Sequence, residues 1–185
     1  DVTIGAGASS TTTIAGDLAV TGAPPGLAHA SQWRQSTSSS TPSGAQTLLS
    51  ANWEVVDTDG YGTLGSNFSA PSSGVFAFPE TGIWRIEFVL RFLDDLNYRY
   101  VGGQIYTTTD DSNYGEAVGS VMMVYNSTGD TYGLAYCCFQ MDVGDLSNDK
   151  CKFYISHEIT SDDATIQGAS SINYTYVTFT KLGET

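Results

Sequence analysis

An all-β jelly-roll sandwich of about ten strands, preceded by a short β-type stalk, is predicted by three observations. Strand-length runs of alternating apolar and polar residues recur from Gln46 onwards. Clusters of Asp, Asn, Ser and Gly punctuate them, and no run of helical period is long enough to form a helix. Of 185 residues only 15% are charged, while 43 are Ser or Thr and 20 are Gly, the composition of a hydroxyl-rich β shell.

Residues 1–22 interleave Val2, Ile4, Ile14, Leu18 and Val20 with Thr, Gly and Ala. This reads as short strands that cannot bury an apolar face alone. Either the segment is a frayed tail or several copies wrap around a common axis and cover those aliphatics. Residues 23–26, Ala-Pro-Pro-Gly, form a linker, because two prolines interrupt strand pairing and the glycine permits a change of direction. The head domain is expected over 27–185. Residues 36–44 are almost entirely Ser, Thr, Pro and Gly and are read as an exposed loop.

Residues 82–92 carry the clearest strand: Trp84, Ile86, Phe88, Leu90 and Phe92 share one face and Arg85, Glu87 and Arg91 the other, as a central strand requires. Residues 131–143 place Ala135, Cys137, Phe139, Met141 and Val143 opposite Tyr132, Tyr136, Gln140 and Asp142. Cys151, Phe153 and Ile155 repeat the pattern, and His157 follows their parity as a packed histidine. A last strand over 171–182 has bulk on both faces, Ile172, Tyr174, Tyr176 and Leu182 against Val177 and Phe179, and so calls for a second packing surface at an oligomer axis.

Charge narrows the partners. Twenty acidic against seven basic side chains give a net charge of −13. So few cations cannot supply the counterion release behind nucleic-acid affinity, nor the attraction to anionic lipid. No stretch approaches the ~18 apolar residues of a membrane helix. The chain begins at Asp1 with neither an initiator Met nor a basic-then-apolar leader, as expected of a processed product or a piece of a longer polypeptide. Of three cysteines, Cys137 and Cys138 are adjacent on a strand and point to opposite faces, a poor disulfide geometry, so all three are read as small buried apolar residues.

The stretch Asn67-Phe68-Ser69-Ala70-Pro71-Ser72-Ser73-Gly74-Val75-Phe76-Ala77-Phe78 resembles the Phe-x-Ala-Pro-x-x-Gly-Val-Tyr-x-Phe signature of complement component 1q globular heads. Gly82-Ile83-Trp84 is similar to the next landmark of that family, and residues 174–182 to its aromatic last strand. The resemblance implies a ten-stranded jelly roll of the tumour necrosis factor type and a compact trimer, with Phe68, Ala70, Pro71, Gly74, Phe76, Phe78, Gly82 and Trp84 as structural residues. It implies nothing catalytic. The collagen stalk of animal members is absent. Instead, residues 13–22 look like the Thr-, Gly- and Val-rich threads of bacteriophage fibres, and residues 179–183 like the ends of phage virion proteins with such heads.

Catalytic chemistry finds little purchase. Only His29 and His157 are available as imidazole bases, and there is no Gly-x-Ser-x-Gly elbow or Gly-rich phosphate loop. The pairs Asp94-Asp95, Asp110-Asp111 and Asp162-Asp163 sit in turns where adjacent carboxylates diverge, against the requirements of glycan cleavage. Asp57-Thr58-Asp59-Gly60 resembles the start of a calcium loop but lacks its later ligands, so a structural calcium ion is compatible with the acidic turns without being marked by a motif. The sequons at Asn67, Asn126 and Asn173 are few enough to arise by chance.

These readings converge on a non-enzymatic viral structural protein: a homotrimeric fibre or spike head, exposed on the virion and contacting the host surface. Alternatives are a capsid decoration protein and a secreted or surface adhesive protein of cellular origin. No cofactor, nucleic acid or membrane insertion is expected; partners are the chain itself, other virion proteins through residues 1–22, and a host-surface glycan or protein. Expected trimer contacts are Val2, Ile4, Ile14, Leu18, Val20, Tyr174 and Tyr176. Expected ligand loops carry Asp94, Asp95 and Tyr98; Asp110, Asp111 and Tyr114; and Asn126, Asp130 and Tyr132, combining hydrogen-bonding groups with tyrosine as glycans require.

Overall fold

The computed structural model describes residues 27–41, 46–94, 98–124, 129, 131–157 and 164–185. The proposed stalk and linker, with Val2, Ile4, Ile14, Leu18 and Val20, lie outside the described residues. So do Asp95, Asn126 and Asp130, and the side chains of Asp94 and Tyr98.

Two antiparallel sheets face each other, as the alternation predicts. Twelve strands are present among the described residues: β1 (His29–Gln35), β2 (Thr37–Thr41), β3 (Thr47–Leu48), β4 (Trp53–Val55), β5 (Phe76–Ala77), β6 (Gly82–Asp94), β7 (Tyr98–Thr108), β8 (Gly115–Val124), β9 (Thr131–Val143), β10 (Lys150–His157), β11 (Ala164–Ala169) and β12 (Tyr176–Gly183). The excess over ten comes from very short strands such as β3 and β5, which cap β10. In the seven-stranded sheet the order is β2-β11-β6-β12-β1-β4, with β9 on the other edge of β6; the five-stranded sheet runs β3-β10-β7-β8, with β5 on β10.

The long alternating run becomes the spine. β6 pairs with β9 over its whole length, Gly82 opposite Val143 and Asp94 opposite Thr131, while its other edge is shared by β12 and β11. Trp84, Ile86, Phe88, Leu90 and Phe92 are fully buried. Across from them stand Cys151, Phe153 and Ile155 of β10, and His157 is buried with them as its parity predicts. An aromatic cluster fills one end of this core: Phe68 stacks on Phe179 with ring centres 4.2 Å apart and meets Trp84 edge-on at 5.5 Å, and Phe76 meets Phe153 at 5.4 Å.

The complement-like motif has the structural character its resemblance implies. Phe68, Phe76, Phe78 and Trp84 are buried; Ala70 is exposed and Pro71 half-buried, just before the Ser72–Val75 bridge. Gly74 has φ +78°, and a Cβ there would lie 2.6 Å from the Leu49 carbonyl oxygen. Gly82 has φ +139°, and its Cβ would meet Lys181 Cε at 2.4 Å. Only glycine fits either place without displacement.

Two expectations are corrected. Within the segment 36–44 read as a loop, residues 37–41 are the edge strand β2, paired with β11. Thr and Ser pair as backbone without needing an apolar face, and the Ser38 hydroxyl exchanges hydrogen bonds with Gly168. The last strand begins at Tyr176 rather than Ser171. Its approach is bent: Gln35 N–H donates to the Thr175 carbonyl, and the buried Thr175 hydroxyl bridges the amide and carbonyl of Arg91. Ile172 and Tyr174 therefore precede the strand, and its bulk points mainly inward through Val177 and Phe179.

Candidate functional site

The outer face of the seven-stranded sheet is set by strand register. Directly opposed positions share a face, so Tyr136, Val89 and Tyr176 form a row across β9, β6 and β12. Leu134 stands opposite Arg91 in the next row, and Cys138, Glu87, Thr178 and Gln32 form the row on the other side. The Arg91 guanidinium lies between two rings, 5.1 Å from Tyr132 and 4.5 Å from Tyr174. Glu87 accepts from the Tyr136 hydroxyl at 2.5 Å and from Arg85 at 2.9 Å, and the first of these bonds raises the Tyr136 pKa.

At the β9 edge this face turns apolar. Leu134 and Tyr132 are each 54% exposed, and the Leu134 N–H donates to Met122 Sδ of β8 at 2.9 Å. Val121 and Met123, 60% and 74% exposed, alternate with Met122 and so belong to the outer face of the five-stranded sheet. Exposed Leu134 and Tyr132 on an acidic, hydroxyl-rich shell mark this edge of the seven-stranded sheet as an interaction surface.

The three predicted ligand loops do not meet. At one end of the barrel Asp94 pairs with Thr131 and Tyr98 with Val124; residues 109–114 lie at the opposite end, where Thr107 pairs with Gly115. Hairpin geometry separates them, since consecutive long strands reverse at alternate ends. In the far loop the acids are already engaged. Asp110 accepts from the Thr108 hydroxyl, from the N–H groups of Ser112 and Asn113, and from the Asn113 amide, which holds its carboxyl well below the usual range. Asp111 pairs with Lys150 at 2.5 Å. Tyr114 lies under Lys152 Nζ at 3.6 Å, and burial, then Asp111, pushes its phenol up to about 12.

Sequence reasoning missed the site with the most converging polar groups. Arg34 on β1 is fully buried although it points away from the core, because residues 54–58 and 170–173 fold over it. It donates to Glu54 at 2.8 Å, Thr58 Oγ1 at 2.7 Å and Asn173 Oδ1 at 3.4 Å, and also to Asp57 and the Ser170 carbonyl. The calcium-like turn thus spends the Asp57 carboxylate on a guanidinium. Beside this clamp a cavity of about 460 Å³ opens, lined by Gln32, Val56, Thr58, Asp59, Tyr61, Ile172 and Asn173 among others. Their spacing along the chain, 20 to 139 residues from Arg34 for its bonded partners, leaves no local signal.

The remaining titratable groups are structural. His29 is buried against Trp84 and Phe68, with ring centres at 4.8 and 5.7 Å, and its Nδ1 is 3.4 Å from Glu80. Burial lowers its pKa, with Glu80 opposing. Cys137 donates to the Gly103 carbonyl at 3.0 Å and burial raises it to about 11, and Cys151 is also buried and raised; Cys138, expected to be buried, is exposed, because adjacent strand residues face opposite sides. Among the described residues no group of three or more His, Cys, Asp or Glu side chains is placed to hold a metal ion, and no helix is long and apolar enough to cross a membrane.

This arrangement of two sheets is a jelly roll of the tumour necrosis factor type. The chain is similar to Eiger TNF from S. frugiperda, with a TM-score of 0.59 and 12% identity over 84% of this chain and 93% of that one. It is also similar to murine APRIL at pH 5.0, with a TM-score of 0.58 and 13% identity over 83% and 98% of the two chains. No family model matches the sequence, and no curated relative does. At such identities the likeness is one of fold.

Proposed function

We propose that this chain is a non-enzymatic head domain that assembles as a homotrimer through the β9, β6 and β12 part of the outer face of its seven-stranded sheet, leaving the β1 edge open. The trimer, in this reading, is the exposed tip of a fibre or spike on a virus particle, a bacteriophage by the character of residues 1–22, and contacts the host surface. The observation that carries self-association is the Tyr136–Val89–Tyr176 row running into the exposed Leu134 and Tyr132 edge. Arg85 and Arg91, two of the seven basic side chains, stand on this face, so it carries less of the acidic excess than the rest of the shell. Residues 1–22 continue the three-fold axis as a stalk that covers Val2, Ile4, Ile14, Leu18 and Val20 and joins other virion proteins. Host contact falls to the barrel end that bears Tyr98 and Tyr132.

Sedimentation equilibrium at several salt concentrations tests assembly, with three times the 19.7 kDa chain mass expected. Leu134→Asp with Tyr136→Asp dissociates the trimer without unfolding the chain. A wild-type monomer at micromolar concentration refutes this part. Antibody labelling of purified particles tests the location: labelling of the shell favours a decoration protein, and absence from particles favours an adhesive protein of a cell. Purified head that fails to block adsorption refutes the host-contact role.

A further inference from the structure

We propose that the cavity beside Tyr61 is a binding site for the ring of a neutral hexopyranose sugar. The proposal holds for the chain on or off a virus particle.

Tyr61 is the anchor. Its hydroxyl oxygen accepts from the Gln32 N–H at 2.8 Å and from Thr63 Oγ1 at 3.1 Å, so the ring is pinned although it belongs to a loop. Depressions of about 460 and 240 Å³ both use Tyr61 and Gln32 as wall, which leaves the ring open to solvent-filled space on two sides. The larger is of the size that takes small ligands, about 300–1,000 Å³. A fixed aromatic ring at a cavity wall suits the C–H face of a pyranose, since stacking there costs little ordering entropy.

The other walls supply what the hydroxyls of such a ring need. Asp59 and Thr58 are exposed on one side. Asn173 lies on the other, donating to Gln32 Oε1 at 3.3 Å while Gln32 Nε2 donates to Thr178 Oγ1 at 3.0 Å. Through Arg34 the same chain of bonds is tied to the buried clamp, so the polar floor is preorganised. Ile172, half exposed outside any strand, adds apolar surface beside the ring, while Val56 in the wall is buried. Charge selects the class. Among the described residues Arg34 is the cation bonded to a lining residue, and Glu54 and Asp57 already neutralise it. With Asp59 at the wall and −13 on the chain, sialylated, sulfated or phosphorylated sugars are repelled.

The test is an NMR titration of the whole chain with the methyl glycosides of glucose, galactose, mannose and N-acetylglucosamine at millimolar concentrations. At least one is expected to give saturable shifts at the Tyr61 ring and the Ile172 methyl groups. Tyr61→Ala should weaken that binding at least about tenfold. Asp59→Asn, at an exposed position that leaves the fold alone, should weaken it less and keep the Tyr61 shifts. Shifts at neither residue with any of the four, or binding that survives Tyr61→Ala, overturn the proposal. Tighter binding of a sialoside than of the neutral glycosides overturns the choice of class. None of these outcomes bears on trimer assembly or particle location, which ultracentrifugation and labelling read separately.

Discussion

Replacing Arg34 by Met removes a guanidinium with no exposed surface and leaves a hydrophobic side chain of similar length. Two effects compete. Breaking a buried ion pair by deleting one partner costs about 3–5 kcal/mol, whereas exchanging a whole buried network for apolar groups can be neutral or stabilising. Here the acids remain, so the first effect dominates, but their exposure tempers it. The Asp57 side chain is 79% exposed and rehydrates at once, contributing about 0–1 kcal/mol as a surface pair would. Glu54 is 33% exposed and recovers water only in part. Asn173 and the Ser170 carbonyl also lose a charged donor, each worth about 1–2 kcal/mol. The expected loss is about 2–4 kcal/mol, read as a lowered urea midpoint at unchanged slope and fixed protein concentration. Arg34→Lys should recover less than half, because one ammonium cannot reach partners on both overlying segments. A change smaller than about 0.5 kcal/mol in Arg34→Met, or a gain, would falsify the view that this clamp holds residues 170–173 onto the sheet.

Phe68→Ala, at the centre of the aromatic cluster, should cost about 3–5 kcal/mol in the same assay, and Phe68→Leu about 1–1.5 kcal/mol. His29 gives a pH signature: its folded pKa lies below the unfolded 6.5, so stability is level above 6.5 and declines as pH falls from there towards the folded value. Glu80 and Lys181 are the charged groups facing it, and His29→Gln should flatten that decline, measured by urea midpoints across the range. Cys138 should be the thiol labelled in the folded chain, since Cys137 and Cys151 are buried and held protonated, and its labelling should slow as protein concentration drives trimer formation. A rate independent of concentration while the mass changes would place Cys138 outside the interface.

The spine of the fold was readable because β6 and β9 each alternate over thirteen residues, long enough for the two-residue period to specify both strand and buried face. Cys137 and Cys138 fell on opposite sides for the same reason. β2 escaped notice because its pairing is carried by backbone and hydroxyl groups, which leave no apolar pattern. The bent approach to β12 was hidden likewise, since it depends on Thr175 and Arg34 meeting partners more than eighty residues away. As for function, the outward tyrosines of the sheet were anticipated individually at Tyr132, Tyr174 and Tyr176, but Arg91 as the post between two of them was not. The loops were recognisable as turns, yet composition cannot tell which end of a barrel a turn occupies.

The pairing of β1 with β12, His29 opposite Lys181, makes the head a structure that closes last. β1 meets β4 early along one edge, but finds β12 along the other only when that strand has been synthesised, about 150 residues later and some 8–30 s at ordinary translation rates. Throughout that interval one long edge of β1 and one of β6 stand open, with the core aromatics between them uncovered. A nascent chain of this design depends on being shielded while it waits. Chains truncated just before Tyr176 should accumulate as aggregates rather than as partly working heads.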